Sequence, residues 1–142
     1  MNIDNAKSQM RKGMLEYCVL LLLRQRPAYA SDIIHRLKDA DLLVVGWGGT
    51  AGALTLAVEE LNNEGKKVAY THFNYICPLP KNTGDILRKY KKIVVCELNN
   101  GQFAGYLRTQ FPECPMKQYN KVMGLPFEVG ELKDCFTKIL GE

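Results

Sequence analysis

The first residues that could do chemistry lie in a glycine-rich turn. Gly46, Gly48 and Ala51 follow the spacing G-x-G-x-x-A, between a strand-like apolar run and a segment with helical periodicity. Backbone amides at the start of such a helix can hold a phosphate or pyrophosphate. A nicotinamide or flavin site also needs an acidic residue at the end of the next strand, and residues 68–76, VAYTHFNYI, contain none. We therefore favour a structural role, in which the glycines allow a tight turn, and keep an anion at the helix start as the alternative.

Polar residues follow each of the other predicted strands as well. Open α/β sheets carry their functional groups at the carboxyl ends of the strands, so these residues are expected on one polar rim. Glu97, at the end of the third predicted strand, is either a buried acid or a cap for the turn that follows it. The candidate binding residues of this rim are Gly48, Gly49, Thr50, Asn74, Glu97, Asn99, Gln102, Asn120 and Lys121.

The sequence contains no recognisable catalytic or metal-binding constellation. No Ser-His-Asp or Cys-His arrangement can be assembled, and His72 falls in the middle of a predicted strand, in or beside the core. The five cysteines are scattered without a Cys-x-x-Cys pair, and only two histidines could supplement them. We therefore predict no catalytic residue, no metal site and reduced thiols that pack as small apolar groups.

The elements that must position the rim alternate regularly from Leu42 to the end of the chain. Four strand-like segments, LLVVG, KKVAYTHFNYI, KIVVCEL and MKQYNKV, are each followed by a segment with helical character. Short connections between them predict parallel strands with right-handed crossovers and helices on both faces. The predicted fold class is α/β, a three-layer α/β/α domain around a mainly parallel sheet of four to five strands.

Residues 7–40 follow a different pattern. Ser8 can cap a helix with apolar residues three and four apart, and Pro27 ends it. Ser31 can cap a second helix, so the pattern predicts a helix pair before the α/β body. Residues 1–40 carry seven Lys or Arg against four Asp or Glu, which is +3 of the chain's net +4. We favour a solvated helix face over a nucleic-acid module as the meaning of this charge.

Length and composition are typical of a globular protein and argue against a membrane-spanning one. The chain has 142 residues, enough for one ordinary domain with a small appendage, and 46% hydrophobic content is normal for a globular protein. No run approaches the roughly 18 apolar residues that a membrane-spanning helix needs. Because the first residues are polar and charged, we expect no signal peptide and a cytoplasmic protein.

Four stretches of the body, in order, carry a resemblance to a known family: VVGWGGTAGAL, AVEELNNEGKKVAYTHFNYICPLPKN, KKIVVCELNNGQFAGYLR and YNKVMGLPF. Residues 42 to about 140 resemble the C-terminal domain of the alpha subunit of 2-oxoacid:ferredoxin oxidoreductases, especially the 2-oxoglutarate type. The resemblance implies a transketolase C-terminal-like domain that docks on other oxidoreductase subunits and is inactive in isolation. It also implies that this chain alone binds no cofactor, while thiamine diphosphate, iron–sulfur centres and coenzyme A belong to the parent complex.

The first part of the chain carries a second resemblance, on DNAKSQMRKGMLEYCVLLLLRQRPAYASDIIHRLKDADLLVV, residues 4–45. This stretch resembles the first two helices of a PadR-type transcriptional regulator. That family's Gly-Thr-Leu-Tyr-Pro-like segment, recognition helix and β-wing do not follow. The two resemblances together indicate a fusion of a PadR-like segment at residues 1–41, an incomplete winged helix, with the oxidoreductase domain at residues 42–142.

Two alternatives to the oxidoreductase domain therefore stay open. A regulator would bind DNA phosphates through Arg11, Lys12, Arg24 and Arg26, with strong salt dependence. A chimera without a cellular role is the other alternative. The apolar face of residues 20–23 is expected to pack on the α/β body or on a second copy, so a homodimer is a further expectation.

Overall fold

The computed structural model describes residues 39–142 and the backbone of residues 31–35. Five strands form one sheet in the order β1-β3-β2-β4-β5, in which β2 to β5 run parallel and β1 pairs antiparallel with β3. The strands are β1 Ser31–His35, β2 Leu42–Trp47, β3 Val68–Phe73, β4 Ile93–Glu97 and β5 Lys117–Asn120. The helices are α1 Ala51–Asn63, α2 Thr83–Leu87, α3 Gln102–Gln110 and α4 Val129–Gly141, and a 3-10 turn, Gly48–Thr50, precedes α1.

The sheet separates two apolar cores. Strands β3 and β4 are buried along their whole length, and β2 is buried up to Gly46, as expected of central strands with helices on both faces. One face packs against α1 and α4 through residues that include Leu54, Leu61 and Phe136. The other face packs against α2 and α3 through residues that include Leu87 and Phe103. The three-layer α/β/α prediction is therefore confirmed.

The edge strand β5 is the fourth strand that the sequence predicts, and it has the fewest apolar residues. Lys117 and Gln118 are exposed, whereas Tyr119 and Asn120 are only half-buried, so this segment lacks the apolar run of a central strand. Its pairing with β4 from Val94 to Glu97 confirms the strand. Polar side chains on an edge strand also discourage pairing with other molecules.

The second predicted N-terminal helix is wrong where it can be compared with the structure. Ser31–His35 forms β1, whose Ser31 and Asp32 pair with Phe73 and His72 of β3. Without β1, β3 would be an edge strand with a row of unpaired backbone groups. The adjacent Ile33 and Ile34 also suit a strand, because branched side chains favour extended backbone. The first predicted helix lies outside the described residues, and the domain boundary after residue 41 stays a prediction, although the sheet includes β1 from before it.

Candidate functional site at the carboxyl edge of the sheet

The parallel strands end together at one edge, here called the carboxyl edge. Trp47 is paired with Phe73, and Glu97 is paired with Asn120. The indole Nε1 of Trp47 donates a hydrogen bond to Glu97 Oε1 at 3.2 Å, which joins the ends of β2 and β4. The candidate rim residues therefore follow four adjacent strand ends.

The glycine turn has a structural explanation at its two defining positions. A Cβ at Gly46 would lie 2.3 Å from Leu54 Cδ1 and 2.9 Å from Thr50 Oγ1, so only glycine admits the helix this close. Gly48 has a φ of 62°, in the left-handed region that glycine adopts without strain. Thr50 is buried and its hydroxyl donates to the Trp47 carbonyl at 2.9 Å. The spacing G-x-G-x-x-A is thus accounted for by packing and backbone conformation, without a ligand.

Glu97 is a buried cap for helix α3. Its Oε1 accepts a 2.7 Å hydrogen bond from the Phe103 amide, and its Oε2 accepts one of 2.9 Å from Ala104. These amides belong to the first turn of α3, where backbone donors have no partner within the helix. A carboxylate there also meets the positive end of the helix dipole. The sequence left a buried acid and a cap open for Glu97, and the structure shows that this residue is both. The protein's own carboxylate therefore occupies the start of α3.

An aromatic cluster lies beside this cap. The ring centroids of Trp47 and Phe103 lie 6.1 Å apart, and those of Phe73 and Phe103 lie 5.1 Å apart in an edge-to-face arrangement. The bulk of Trp47 between two glycines therefore serves packing, since its ring contacts Phe103 while its Nε1 bonds to Glu97.

Several other rim candidates are used by the fold itself. Asn99 Oδ1 accepts hydrogen bonds from the amides of Gly101 and Gln102 at 2.8 and 3.1 Å, which forms the turn before α3. Lys121 pairs with Glu131 at 2.8 Å, and this contact holds the pKa of the Glu131 carboxyl below its usual value. Gly48, Gly49, Asn74 and Gln102 are exposed. The Oδ1 atom of Asn120 is buried without a hydrogen-bond partner.

Apart from Glu97, the sheet buries titratable groups in its core, among them His72, Tyr70 and Cys96. His72 is 7% exposed, and its Nδ1 lies 2.8 Å from the Tyr70 hydroxyl, so its prediction as a core residue is confirmed. Burial raises the pKa of the Tyr70 hydroxyl and of the Cys96 thiol. The described cysteines, Cys77, Cys96, Cys114 and Cys135, are free thiols.

The feature that sequence analysis missed is apolar. Four large side chains on the loops after β4 and β5 are exposed, here called the apolar rim: Leu98 at 39%, Val122 at 59%, Met123 at 70% and Leu125 at 56%. The Lys121 amide donates to the Glu97 carbonyl at 2.9 Å, so the two loops begin side by side. The signal was present in KVMGLPF, residues 121–127, a turn segment with more apolar residues than a solvated loop needs.

The described part of the chain has neither a membrane-spanning helix nor a metal-ligand cluster. None of its helices has the length and apolar character required to cross a bilayer. Within the same residues, no three His, Cys, Asp or Glu side chains come together as a metal-ion site. We therefore assign no metal ligand to this part of the chain.

The layered architecture defines a class of α/β domain that recurs in known structures. The 2-oxoglutarate:ferredoxin oxidoreductase from Magnetococcus marinus superimposes with a TM-score of 0.70 and 24% identity over 78% of this chain and 19% of that chain. A split-gene transketolase, described as an inactive beta4 tetramer, matches with a TM-score of 0.59 and 14% identity over 78% of this chain and 41% of that one. These likenesses establish the transketolase C-terminal-like fold.

Sequence comparison assigns the family. Residues 40–129 match the family described as pyruvate:ferredoxin oxidoreductase core domain II, and the chain belongs to it. The 2-oxoglutarate oxidoreductase subunit KorA of Mycobacterium tuberculosis H37Rv is 39% identical over 94 residues, 66% of this chain and 14% of that subunit. The 2-oxoacid:ferredoxin oxidoreductase alpha subunit of Saccharolobus solfataricus is 25% identical over 138 residues, 94% of this chain and 22% of the subunit. The chain thus spans less than a quarter of these relatives, and the predicted alpha-subunit domain is confirmed.

The lengths of these matches bear on the N-terminal segment. The alignment with the Saccharolobus subunit covers 94% of the chain and therefore includes most of residues 1–41. The PadR-like segment and the fusion are not supported by these comparisons and stay predictions.

Proposed function

We propose that this chain acts as a subunit-docking domain of a 2-oxoacid:ferredoxin oxidoreductase alpha subunit and has no turnover of its own. Membership in the core domain II family supports the domain type, and the similarity to KorA favours a 2-oxoglutarate enzyme. The proposed partners are the remaining parts of the alpha subunit and the other oxidoreductase subunits.

The observation that carries this proposal is the chemistry of the carboxyl edge. The Glu97 carboxylate at the centre of this edge is fully buried. It accepts hydrogen bonds from the Trp47 indole and from the amides of Phe103 and Ala104. Beside exposed polar groups such as Asn74, the loops around it expose the large apolar side chains of Val122, Met123 and Leu125. Several exposed large apolar side chains on neighbouring loops are typical of a surface that another protein covers.

The parent complex is expected to supply the chemistry. Thiamine diphosphate, iron–sulfur centres and coenzyme A are proposed to bind in parts that this chain does not contain. The Magnetococcus relative is described with 2-oxoglutarate, coenzyme A and succinyl-CoA bound, and four fifths of that chain lie outside the match. We assign no cofactor-binding residue to residues 39–142, and the rim candidates stay a prediction.

A segment swap tests the proposal. The stretch of Mycobacterium KorA that matches this chain is replaced by the corresponding residues of this chain, and complex assembly and 2-oxoglutarate-dependent ferredoxin reduction are measured. We expect assembly and activity in the swapped complex and none in KorA without the stretch. The 142-residue chain alone is expected to show no turnover. Turnover by the chain alone would refute the docking role.

The regulator alternative has its own test. Its four basic residues, Arg11, Lys12, Arg24 and Arg26, lie outside the described residues, as does the apolar face at residues 20–23 on which the proposed homodimer depends. A gel-shift titration at low and moderate salt separates the two functions. Absence of a shift at both salt concentrations would end the regulator alternative.

A further inference from the structure

A second surface lies at the opposite, amino edge of the sheet, where the parallel strands begin. The Asp41 amide donates to the Lys67 carbonyl and the Leu43 amide to the Lys92 carbonyl, both at 2.9 Å, so the segments before β3 and β4 meet the start of β2. A groove of about 880 Å³ opens there. Five of its lining residues are lysines and define the lysine groove: Lys66, Lys67, Lys89, Lys91 and Lys92.

The lysine groove carries more positive than negative charge, because five lysines line it against Asp39 and Asp41. Elsewhere in the described residues, Arg88, Lys117, Lys121 and Lys133 each form an ion pair. None of the five groove lysines has a carboxylate of the described residues within 4.0 Å, although Asp39 and Asp41 also line the groove. Like charges gathered in a concave surface reinforce one another and raise the local potential.

A purely structural role explains two of the five lysines. Lys92 Nζ donates to the carbonyls of Ile139 and Leu140 at 3.0 Å, where it satisfies the carboxyl end of α4. Lys66 Nζ donates to Thr137 Oγ1 at 2.8 Å. Three lysines are exposed, and their side-chain amines form no hydrogen bond or ion pair with the described residues: Lys67, Lys89 and Lys91.

We propose that the lysine groove docks an acidic segment of a partner protein. Its described lining contains no arginine and no aromatic side chain. Arginine forks and stacking aromatic rings are the groups with which proteins usually hold nucleic acid, so a carboxylate-rich protein segment fits the lining better. Long, flexible lysines act as point charges that attract carboxylates without fixing one geometry. We expect the complex to form rapidly, to have a low affinity and to weaken as the salt concentration rises.

The proposal does not depend on docking through the apolar rim, because the two surfaces occupy opposite edges of the sheet. The probe is a fluorescently labelled decaglutamate peptide, and its binding to the full chain is followed by anisotropy. We expect the dissociation constant to rise strongly between about 25 mM and about 200 mM salt, as charges farther apart than the Debye length become screened.

Matched charge reversals locate the binding surface. Lys91→Glu and, separately, Lys67→Glu reverse one groove charge, whereas Lys81→Glu makes the same change in net charge on the loop before α2. We expect each groove variant to raise the dissociation constant about fivefold and the control to change it less than about twofold. Circular dichroism verifies that the three variants are folded.

Three results would contradict the proposal that the lysine groove docks an acidic segment. Equal effects of Lys91→Glu and Lys81→Glu would mean that net charge alone attracts the peptide, which overturns the proposal. Tighter binding of a labelled ten-nucleotide single strand than of decaglutamate would assign the groove to nucleic acid instead. Absence of measurable peptide binding at low salt would also overturn it.

Discussion

The two edges of the sheet differ in whether their charged side chains are buried or exposed to solvent. At the carboxyl edge, the Glu97 carboxylate is buried and bonded to three donors, and the side chains that reach solvent include Met123 and Leu125. At the amino edge, Lys67, Lys89 and Lys91 reach solvent without a carboxylate partner among the described residues. Apolar exposure suits a lasting contact, whereas unpaired charge suits a rapid encounter. One small domain thus presents two surfaces of different chemistry.

The largest effect on stability is expected from removing the buried Glu97 carboxylate at the carboxyl edge. Glu97→Ala leaves the amides of Phe103 and Ala104 and the Trp47 indole without their acceptor in a buried place. We expect a loss of about 3–5 kcal/mol in the free energy of unfolding, measured by urea denaturation at neutral pH. Glu97→Gln keeps one acceptor oxygen and should cost about half as much. A loss below about 1 kcal/mol in Glu97→Ala would show that the cap contributes little.

The second-largest effect on stability is expected at the glycine turn, where it tests the packing explanation of Gly46. Gly46→Ala places a Cβ 2.3 Å from Leu54 Cδ1 and should cost about 1–3 kcal/mol through overpacking. Gly49→Ala is the matched control, because a Cβ there meets no atom within 4 Å. We expect the control to change stability by less than about 0.5 kcal/mol. Thermal denaturation measures the stability of both variants. Equal losses of stability in Gly46→Ala and Gly49→Ala would contradict the explanation by packing against Leu54.

The smallest effect concerns pH and the rim contact between Lys121 and Glu131. The pKa of Glu131 is lowered in the folded protein, first by the hydrogen bond from Lys121 and then by the backbone of Glu128. Its contribution is therefore present above the unfolded value of 4.5 and is lost as the pH falls through the lower folded value. Below the unfolded value, unfolding free energy should fall less steeply with acid in Glu131→Gln than in the wild type. Identical slopes in acid denaturation series would refute this linkage.

Particular residues show how far the sequence could predict this molecule. The alternation of apolar strands and helical segments after Leu42 predicted the layered fold because period and length are local properties. The helix predicted at Ser31 failed because antiparallel pairing with β3, a tertiary contact, overrides the local pattern.

The site was predicted less completely than the fold. The sequence placed Glu97 at the end of its strand but could not show that it is both buried and a cap, since this depends on where the Phe103 and Ala104 amides point in space. The apolar rim was missed because Val122, Met123 and Leu125 lie in an irregular loop, where no periodicity separates exposed residues from buried ones. The lysine groove combines residues from two separate loops, which only the topology brings together.

The most direct test of the account measures docking through the apolar rim. In the KorA segment-swap complex, the dissociation constant between the swapped alpha subunit and its partners is compared for Val122→Ser/Met123→Ser/Leu125→Ser and for Leu56→Ser, an exposed apolar control on α1. The account predicts that the rim variant weakens assembly at least about tenfold, while the control leaves it within about twofold. Equal affinities for the two variants would show that the carboxyl edge is not the docking surface.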